Sequence, residues 1–188
     1  MQQENKVEGM REETERYQLD QGPLVMYRNR GRQQLCLQKC LASAMHYLGY
    51  TGEAKRISDG YSKIHLAKSN KKKWVGQFQR FKLLVIDTMK ESQGKVRWCK
   101  AKYDPFDSSH HRDHPVVTSL KAAIMNGNKK DMISINHSVC FVGAYVFDSN
   151  MDKALPITRE TMDHICNNVV DGAIYDGIIW SREIVLKK

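Results

Sequence analysis

The sequence lacks any apolar run close to the roughly 18 residues that a membrane-spanning helix requires. Its first 22 residues also lack the apolar core of a secretory signal peptide. These two absences predict a soluble, intracellular protein, cytoplasmic or nuclear, with no membrane partner. The sequence shows no internal repeat and no low-complexity tract.

The sequence also lacks the even, loop-rich cysteine spacing of a disulfide framework. Five cysteines are an odd number, and they lie inside apolar runs. Reduced thiols in a reducing compartment are therefore expected. The five are Cys36, Cys40, Cys99, Cys140 and Cys166.

Acidic residues are scarce outside the N-terminus. The chain holds 30 Lys and Arg against 21 Asp and Glu, for a net charge of +9. Residues 1–20 carry six acids and three bases, so this segment is −3 and the remainder is +12. A basic body attracts nucleic acid, anionic membranes or an acidic protein through its field alone, although a solvated lysine-rich face is the commoner cause of such a charge.

The length of 188 residues and the apolar content of 41% predict one domain with a well-buried core. Residues 1–22 are expected to form a flexible acidic extension, frayed or weakly helical, and residues 23–188 the domain. The order of patterns, helix-rich and then strand-rich, predicts an α+β fold with helices packed on an antiparallel sheet. Helices are expected at 36–48, at 116–127 and at 155–168, where Thr158 is the N-cap, and one or two more are expected within 53–92. Strands are expected at 23–27, 95–101 and 131–142, with a hairpin partner in 143–150 and the final strands after 172.

The most secure helix carries two cysteines at its start, in "CLQKCLASAMHYLG". Its apolar residues recur at helical spacing, and Gly49 follows as the expected C-cap. A thiol attacks as thiolate, and a helix N-terminus and a nearby imidazolium both lower its pKa. Cys36 lies on the first turn at the edge of the apolar stripe, whereas Cys40 lies near the stripe, so Cys36 is predicted to be the more accessible thiol.

A general base for such a thiol must come from elsewhere in the chain. His137 is the candidate, because it lies in a strand-like run on the face that a packed helix would cover, the face of Ile133, Ile135, Val139 and Phe141. A lone histidine on an apolar face is otherwise more often a satisfied core residue. The other candidates are His46, His65, His110, His111, His114 and His164.

A polar partner for the His137 ring follows from the hairpin that comes next. A turn at 142–143 pairs residue 137 with Asp148, whereas a turn at 143–144 pairs it with Asn150. Either side chain could hold the imidazole in the tautomer that a base requires. The sequence thus gives a nucleophile, a base and an orienting Asp or Asn in that order.

The segment "CLQKCLASAMHYLG" resembles the nucleophile helix of papain-like cysteine peptidases, most closely the branch of the bacteriocin double-glycine leader peptidases. The matching residues are Cys36, Cys40, Leu41, Ala42, Tyr47 and Gly49. "HSVCFVG" followed by "FDSN" is similar to the His strand and the Asp or Asn strand of that superfamily. The resemblance implies a papain-like fold, with the nucleophile helix packed on a C-terminal antiparallel sheet.

The resemblance also implies an oxyanion-hole glutamine six residues before the nucleophile. Arg30 stands six before Cys36, whereas Gln34 stands six before Cys40, which keeps Cys40 as the alternative nucleophile. The Tyr-Leu-Gly register favours Cys36. Gln34, with its neighbour Gln33, is the oxyanion candidate.

The implied function is a cysteine peptidase that hydrolyses a peptide or isopeptide bond through Cys36, His137 and Asp148, without a cofactor or metal. Its substrate would be a protein or peptide, such as a polyprotein or a ubiquitin-like modifier. The alternative is a catalytically inactive papain-like basic domain that binds nucleic acid or an acidic protein. Transfer of the acyl group to another acceptor would use the same site.

Two other motifs have weaker interpretations. "DSSHHRDH" at 107–114 gathers three histidines and two aspartates, but its spacing matches no closed zinc pattern and a polar surface loop explains it. "KSNKKKW" at 68–74 resembles a nuclear address or a phosphate-contacting patch, with no recognised nucleic-acid module around it.

Overall fold

A computed structural model gives the fold of most of the domain. It describes residues 15–19, 22–28, 35–58, 95–135 and 137–186. The predicted helical segment 53–92 lies outside these residues from 59 onward.

Nine strands and three α-helices are found within the described residues. The strands are β1 (Glu15–Leu19), β2 (Gly22–Met26), β3 (Val96–Lys100), β4 (Val116–Asn126), β5 (Lys129–Ile133), β6 (Ser138–Val142), β7 (Tyr145–Phe147), β8 (Leu155–Pro156) and β9 (Ala173–Leu186). The helices are α1 (Cys36–Tyr47), α2 (51–58) and α3 (Arg159–Val169). A single 3₁₀ turn spans Ser108–His110.

The main sheet is antiparallel, with strand order β3-β9-β4-β6-β7-β8 and with β5 paired to the far part of β4. Strands β1 and β2 form a separate antiparallel hairpin. Helices on an antiparallel sheet make the chain an α+β protein, as the sequence predicts. Among the described helices none combines the length and the apolar character needed to cross a bilayer.

Helices cover both faces of the sheet. Adjacent residues of β6 alternate between two apolar clusters: Cys140 and Val142 lie with α1, whereas Val139 and Phe141 lie with α3. This is the period-two alternation of a strand buried on both sides. The core therefore has three layers, in the order α1, sheet, α3.

Helix α1 forms where the sequence predicts it. Leu41 and Met45, on its apolar stripe, are fully buried, and each contributes roughly 1.5–3 kcal/mol on burial. After the helix, Gly49 adopts φ +89° and donates to the carbonyl of His46 at 2.9 Å, while Tyr50 donates to the carbonyl of Met45 at 2.9 Å. These two bonds form a Schellman motif, so the prediction of Gly49 as the terminating residue is confirmed.

The segment 116–127 is the clearest wrong prediction, because it forms strand β4 rather than a helix. β4 lies between β9 and β6, and its residues from 116 to 120 are all buried. A strand covered on both faces has no alternation of apolar and polar residues, and a near-continuous apolar run then resembles a helix. Val116, Val117 and Thr118 are the β-branched residues that favour the strand.

Other boundaries differ from the sequence predictions in smaller ways. Residues 15–19 form strand β1, so the expectation of a frayed or weakly helical segment is wrong there. The expected single strand 131–142 is split into the end of β5 and β6. The N-cap of α3 is confirmed, because the Thr158 hydroxyl accepts a hydrogen bond from the Thr161 amide at 3.0 Å.

Two polar side chains in the first turns of α1 tie it to the C-terminal end of α2. Gln38 donates to the carbonyls of Ile57 and Ser58 at 2.7 and 2.6 Å, and the Lys39 ammonium donates to the Ser58 hydroxyl at 2.8 Å. The last carbonyls of a helix have no partners within it, and its C-terminus favours a cation. Both side chains are buried, so they fix α1, and with it Cys36, against α2.

Replacement of Gln38 by Ala is expected to destabilise the protein by about 1–3 kcal/mol, because two buried carbonyls lose their donor. Urea unfolding followed by circular dichroism measures the change. Asn168→Ala on the exposed face of α3 is the control and should stay within about 0.5 kcal/mol of wild type. Equal stability of the two variants would contradict this role of Gln38.

Candidate active site

Three predicted residues meet at one end of the sheet. Cys36 is the first residue of α1, His137 directly precedes β6, and Asp148 directly follows β7. Since β6 and β7 are antiparallel neighbours, the start of one and the end of the other lie at the same edge. The N-terminus of α1 reaches this edge, where the Cys40 thiol donates to the carbonyl of Ser138 at 3.2 Å.

His137 is held at both its backbone and its ring. Its carbonyl accepts a hydrogen bond from the Leu120 amide of β4 at 2.9 Å. Ring atom Nε2 lies 2.9 Å from Asp148 Oδ2, and the two residues are 3% and 1% exposed. Because Asp148 engages Nε2, Nδ1 is the ring atom left to meet the Cys36 thiol, with which His137 also hydrogen-bonds.

The Asp148 carboxylate is itself fixed by the chain that follows it. Its Oδ1 accepts from the amide of Asn150 at 2.9 Å, and its carbonyl accepts from the amide of Met151 at 3.0 Å. Both contacts define a tight turn that orients Oδ2 toward the His137 ring. The Asn150 side chain is exposed, so the structure places Asp148, not the alternative Asn150, on the imidazole.

Asp148 comes to His137 by a different strand pairing from the one that the sequence predicts. The turn is at 143–144, since Val142 pairs with Tyr145, and direct pairing would then give Asn150 to residue 137. The ladder between β6 and β7, however, ends at the pair Cys140 and Phe147. His137 lies beyond the end of this ladder. Its ring therefore meets Asp148 rather than Asn150, the residue that a longer ladder would place opposite it.

The expected orientation of His137 is also corrected. The side of β6 that carries Val139 and Phe141 faces α3, whereas α1 covers the side of Cys140 and Val142. Strand alternation alone would therefore turn residue 137 away from α1. Its position before the first residue of β6 frees it from that alternation, and this allows its ring to reach Cys36.

Electrostatics separate the two cysteines of α1. Burial by itself would raise the pKa of Cys36, but the hydrogen bond and the charge of His137, with the amides of Ser138 and Leu37, lower that pKa below its usual value. Cys40 is more deeply buried, at 2% against 8% exposure, and burial raises its pKa well above the ordinary thiol value. Of the two thiols, Cys36 is therefore the one whose thiolate form is favoured.

The His137 imidazole is correspondingly kept protonated. Burial lowers its pKa, but the charge and hydrogen bond of Asp148, followed by those of Cys36, raise it to about 10. The two shifts together favour a thiolate–imidazolium pair beside Asp148. The Coulomb attraction of the two opposite charges in a water-poor setting maintains this state.

Sequence reasoning missed the backbone groups of the site. The amide of Leu120 holds the backbone of His137, the amide of Ser138 hydrogen-bonds to the Cys36 sulfur, and the carbonyl of Ser138 accepts from the Cys40 thiol. A contact through the main chain leaves no signal in residue identity. Gln33 and the oxyanion candidate Gln34 lie outside the described residues. Leu35, the N-cap residue of α1, makes no side-chain hydrogen bond that caps the helix, and the Leu37 amide in the first turn hydrogen-bonds to the Cys36 sulfur.

The histidine-rich loop does not join this site. The His110 ring accepts from the Asp104 amide at 3.0 Å, the His111 ring donates to the Pro105 carbonyl at 3.0 Å, and His114 lies 3.4 Å from a carboxylate on β9. The rings have separate partners. Across the described ranges, no three His, Cys, Asp or Glu side chains are grouped as a metal site.

Comparisons with protein-family models, with curated protein sequences and with solved structures find no match to this chain. What the site can do is therefore inferred from the geometry of Cys36, His137 and Asp148.

Proposed function

We propose that this chain is a cysteine peptidase of papain-like architecture, which cleaves a peptide or isopeptide bond through a thioester intermediate. The observation that carries the proposal is the hydrogen-bonded series of Cys36, His137 and Asp148. In it a buried thiol has a lowered pKa because a carboxylate-held imidazole faces it. A nucleophile, a base and an orienting group in mutual contact are the requirements of covalent acyl transfer.

In the first half of the reaction, the Cys36 thiolate attacks the carbonyl carbon of the scissile bond. The C–N bond then breaks, and His137 gives its Nδ1 proton to the leaving amine, so that the acyl group remains on sulfur as a thioester. Asp148 stabilises the imidazolium before this transfer and keeps the ring oriented afterwards. A proton transfer of this kind contributes typically about 10²–10⁴ in rate.

In the second half, water attacks the thioester while neutral His137 accepts its proton. The acid product leaves, and the thiolate–imidazolium pair is restored. The oxyanion formed in each half lies at the N-terminus of α1, where the first amides of the helix and its partial positive charge stabilise a negative oxygen.

The proposal is tested with electrophilic peptide probes and with ubiquitin carrying a C-terminal vinyl sulfone. The wild-type protein is expected to be labelled at Cys36 by at least one probe, as mapped by mass spectrometry, and to hydrolyse the matching substrate. Cys36→Ala should abolish both. Cys99→Ala, which removes a half-exposed thiol of β3, should leave both unchanged.

Labelling that survives both Cys36→Ala and the double change of Cys36 and Cys40 would overturn the proposal. A folded protein that no probe labels and that cleaves no peptide would do so as well. Salt-sensitive retention of such an inert protein on nucleic acid would favour the basic binding domain instead.

A further inference from the structure

The sulfur of Cys40 contacts two backbone segments at once. Its thiol donates to the carbonyl of Ser138 at 3.2 Å. The amide of Ser149 hydrogen-bonds to the same sulfur. Cys40 is thus a bridge from α1 to the start of β6 and to the end of β7.

The two bridged residues are the direct neighbours of the site. Ser138 follows His137, and Ser149 follows Asp148. Cys36 lies one turn before Cys40 on the same helix, so a single helical turn carries both the nucleophile and the bridge. Any shift of the His137 or Asp148 backbone relative to Cys36 must therefore stretch a contact of the Cys40 sulfur.

We propose that Cys40 is a positioning residue, whose protonated thiol fixes the His137 and Asp148 segments against α1 and so sets the approach of the imidazole to Cys36. The inference deepens the proposed peptidase function and rests on it for any effect on turnover. It also gives a reason for two cysteines four residues apart, because one reacts and the other holds the segments that carry His137 and Asp148.

The surroundings of Cys40 keep it in the form that this role needs. Burial raises its pKa well above the usual range, and the titratable groups that face it, Cys140 on β6, Cys36 on α1 and Asp148 after β7, raise it further. The thiol therefore stays protonated and can donate to the Ser138 carbonyl. Its hydrogen is a weak donor, so correct placement rather than bond strength is the contribution expected.

Cys140 provides a matched control. It is as buried as Cys40, at 1% against 2%, and belongs to the same apolar cluster. Truncation to alanine removes the same sulfur atom in either case and leaves a similar cavity. The thiol of Cys140 lies 3.9 Å from the carbonyl of Phe141 and does not bridge the site segments.

The test is the pH dependence of Cys36 alkylation by iodoacetamide in the full chain, followed by mass spectrometry of the Cys36 peptide. Cys40→Ala is expected to move the thiolate midpoint upward by about one pKa unit, and to slow alkylation below the midpoint about tenfold. Cys40→Ser, whose hydroxyl can make both contacts through a shorter arm, should lie between wild type and Cys40→Ala. Cys140→Ala should keep the wild-type midpoint even if its melting temperature falls.

An unchanged midpoint in Cys40→Ala, or an equal shift in Cys140→Ala, would overturn the inference. If Cys40→Ala does not fold, the thiolate midpoints of Cys36 in Cys40→Ser and in Cys140→Ser are compared instead. An unchanged midpoint in Cys40→Ser, or an equal shift in Cys140→Ser, would then overturn the inference. Where peptide turnover is present, the variant should lower kcat and leave KM unchanged. A folded wild-type protein that no probe labels and that cleaves no peptide refutes the peptidase function, while the alkylation profiles still decide the role of Cys40.

Discussion

Replacement of His137 by Gln is expected to leave Cys36 almost without thiolate at neutral pH. Burial alone raises the pKa of this thiol, and the His137 hydrogen bond and charge are the main influences that lower it. Without that hydrogen bond and charge, the effect of burial dominates and the Cys36 pKa rises. Alkylation of Cys36 at pH 7 should fall roughly 100-fold, and any peptide turnover about 10²–10⁴-fold.

Glutamine is the suitable replacement because its amide can still donate to Asp148 Oδ2, so no buried carboxylate is left unpaired. Stopped-flow or mass-spectrometric alkylation at several pH values measures the effect. His164→Gln on the exposed face of α3 is the matched control and should behave as wild type. Equal Cys36 reactivity in the His137 variant and this control would show that the imidazole does not activate the thiol.

Replacement of Asp148 by Ala is expected to have the largest effect on stability. The carboxylate and the His137 ring are both buried, and removal of Asp148 takes away the main opposite charge and the acceptor that hold the ring. Broken buried pairs of this kind cost about 3–5 kcal/mol. Asp148→Asn should cost less, because its amide oxygen can still accept from the Asn150 amide, while the charge is lost and an NH2 group replaces the acceptor Oδ2 beside the His137 ring.

Urea unfolding at fixed pH measures both variants. Asp152→Asn provides the control, since Asp152 forms an ion pair with Arg28 but its side chain is 80% exposed. An exposed pair contributes about 0–1 kcal/mol. A loss at Asp148→Ala no larger than that of this control would contradict a structural ion pair between Asp148 and His137.

The same pair predicts a dependence of stability on pH. The folded pKa of His137, about 10, lies above its unfolded value of 6.5, so between these values the folded state binds more protons than the unfolded state. The stabilisation is complete below pH 6.5 and is lost as the pH rises through about 10. Asp148→Asn should flatten this decline, because Asp148 is the main influence that raises the pKa.

Ionisation of Cys36 changes the free energy of unfolding in the opposite direction over part of this pH range. Its folded pKa is lowered from 9.0, so its contribution is present above pH 9 and is lost as the pH falls. A Cys36→Ala background removes this opposing contribution. Unfolding free energies at pH 6 and pH 10 should then differ more in Cys36→Ala than in Cys36→Ala with Asp148→Asn.

Much of helix α1, which carries Cys36, could be predicted from local sequence. The apolar spacing of 37, 41, 45 and 48 gives α1 its register, and Gly49 gives its end, because both features act within one or two turns. Thr158 likewise fixes the start of α3 through a bond to a residue three positions later. Position 36 at the N-terminus of α1 follows from the same local rules.

Strand β4 shows where local rules fail. Its residues combine strong strand formers with the Ala-rich end "LKAAIM", and both faces are buried in the finished sheet. Whether such a run becomes a helix or a strand depends on its neighbours β9 and β6, and those contacts come from distant parts of the chain.

The sequence by itself determined which residue types are available and in what order: a thiol at a helix start, then a histidine, then an aspartate beyond a glycine turn. Tertiary structure alone decided which of them meet. The choice of Cys36 over Cys40 depends on depth of burial and on the His137 ring, and the choice of Asp148 over Asn150 depends on where the β6–β7 ladder stops. Spacing along the chain controls local geometry, whereas burial and ladder length are properties of the packed sheet.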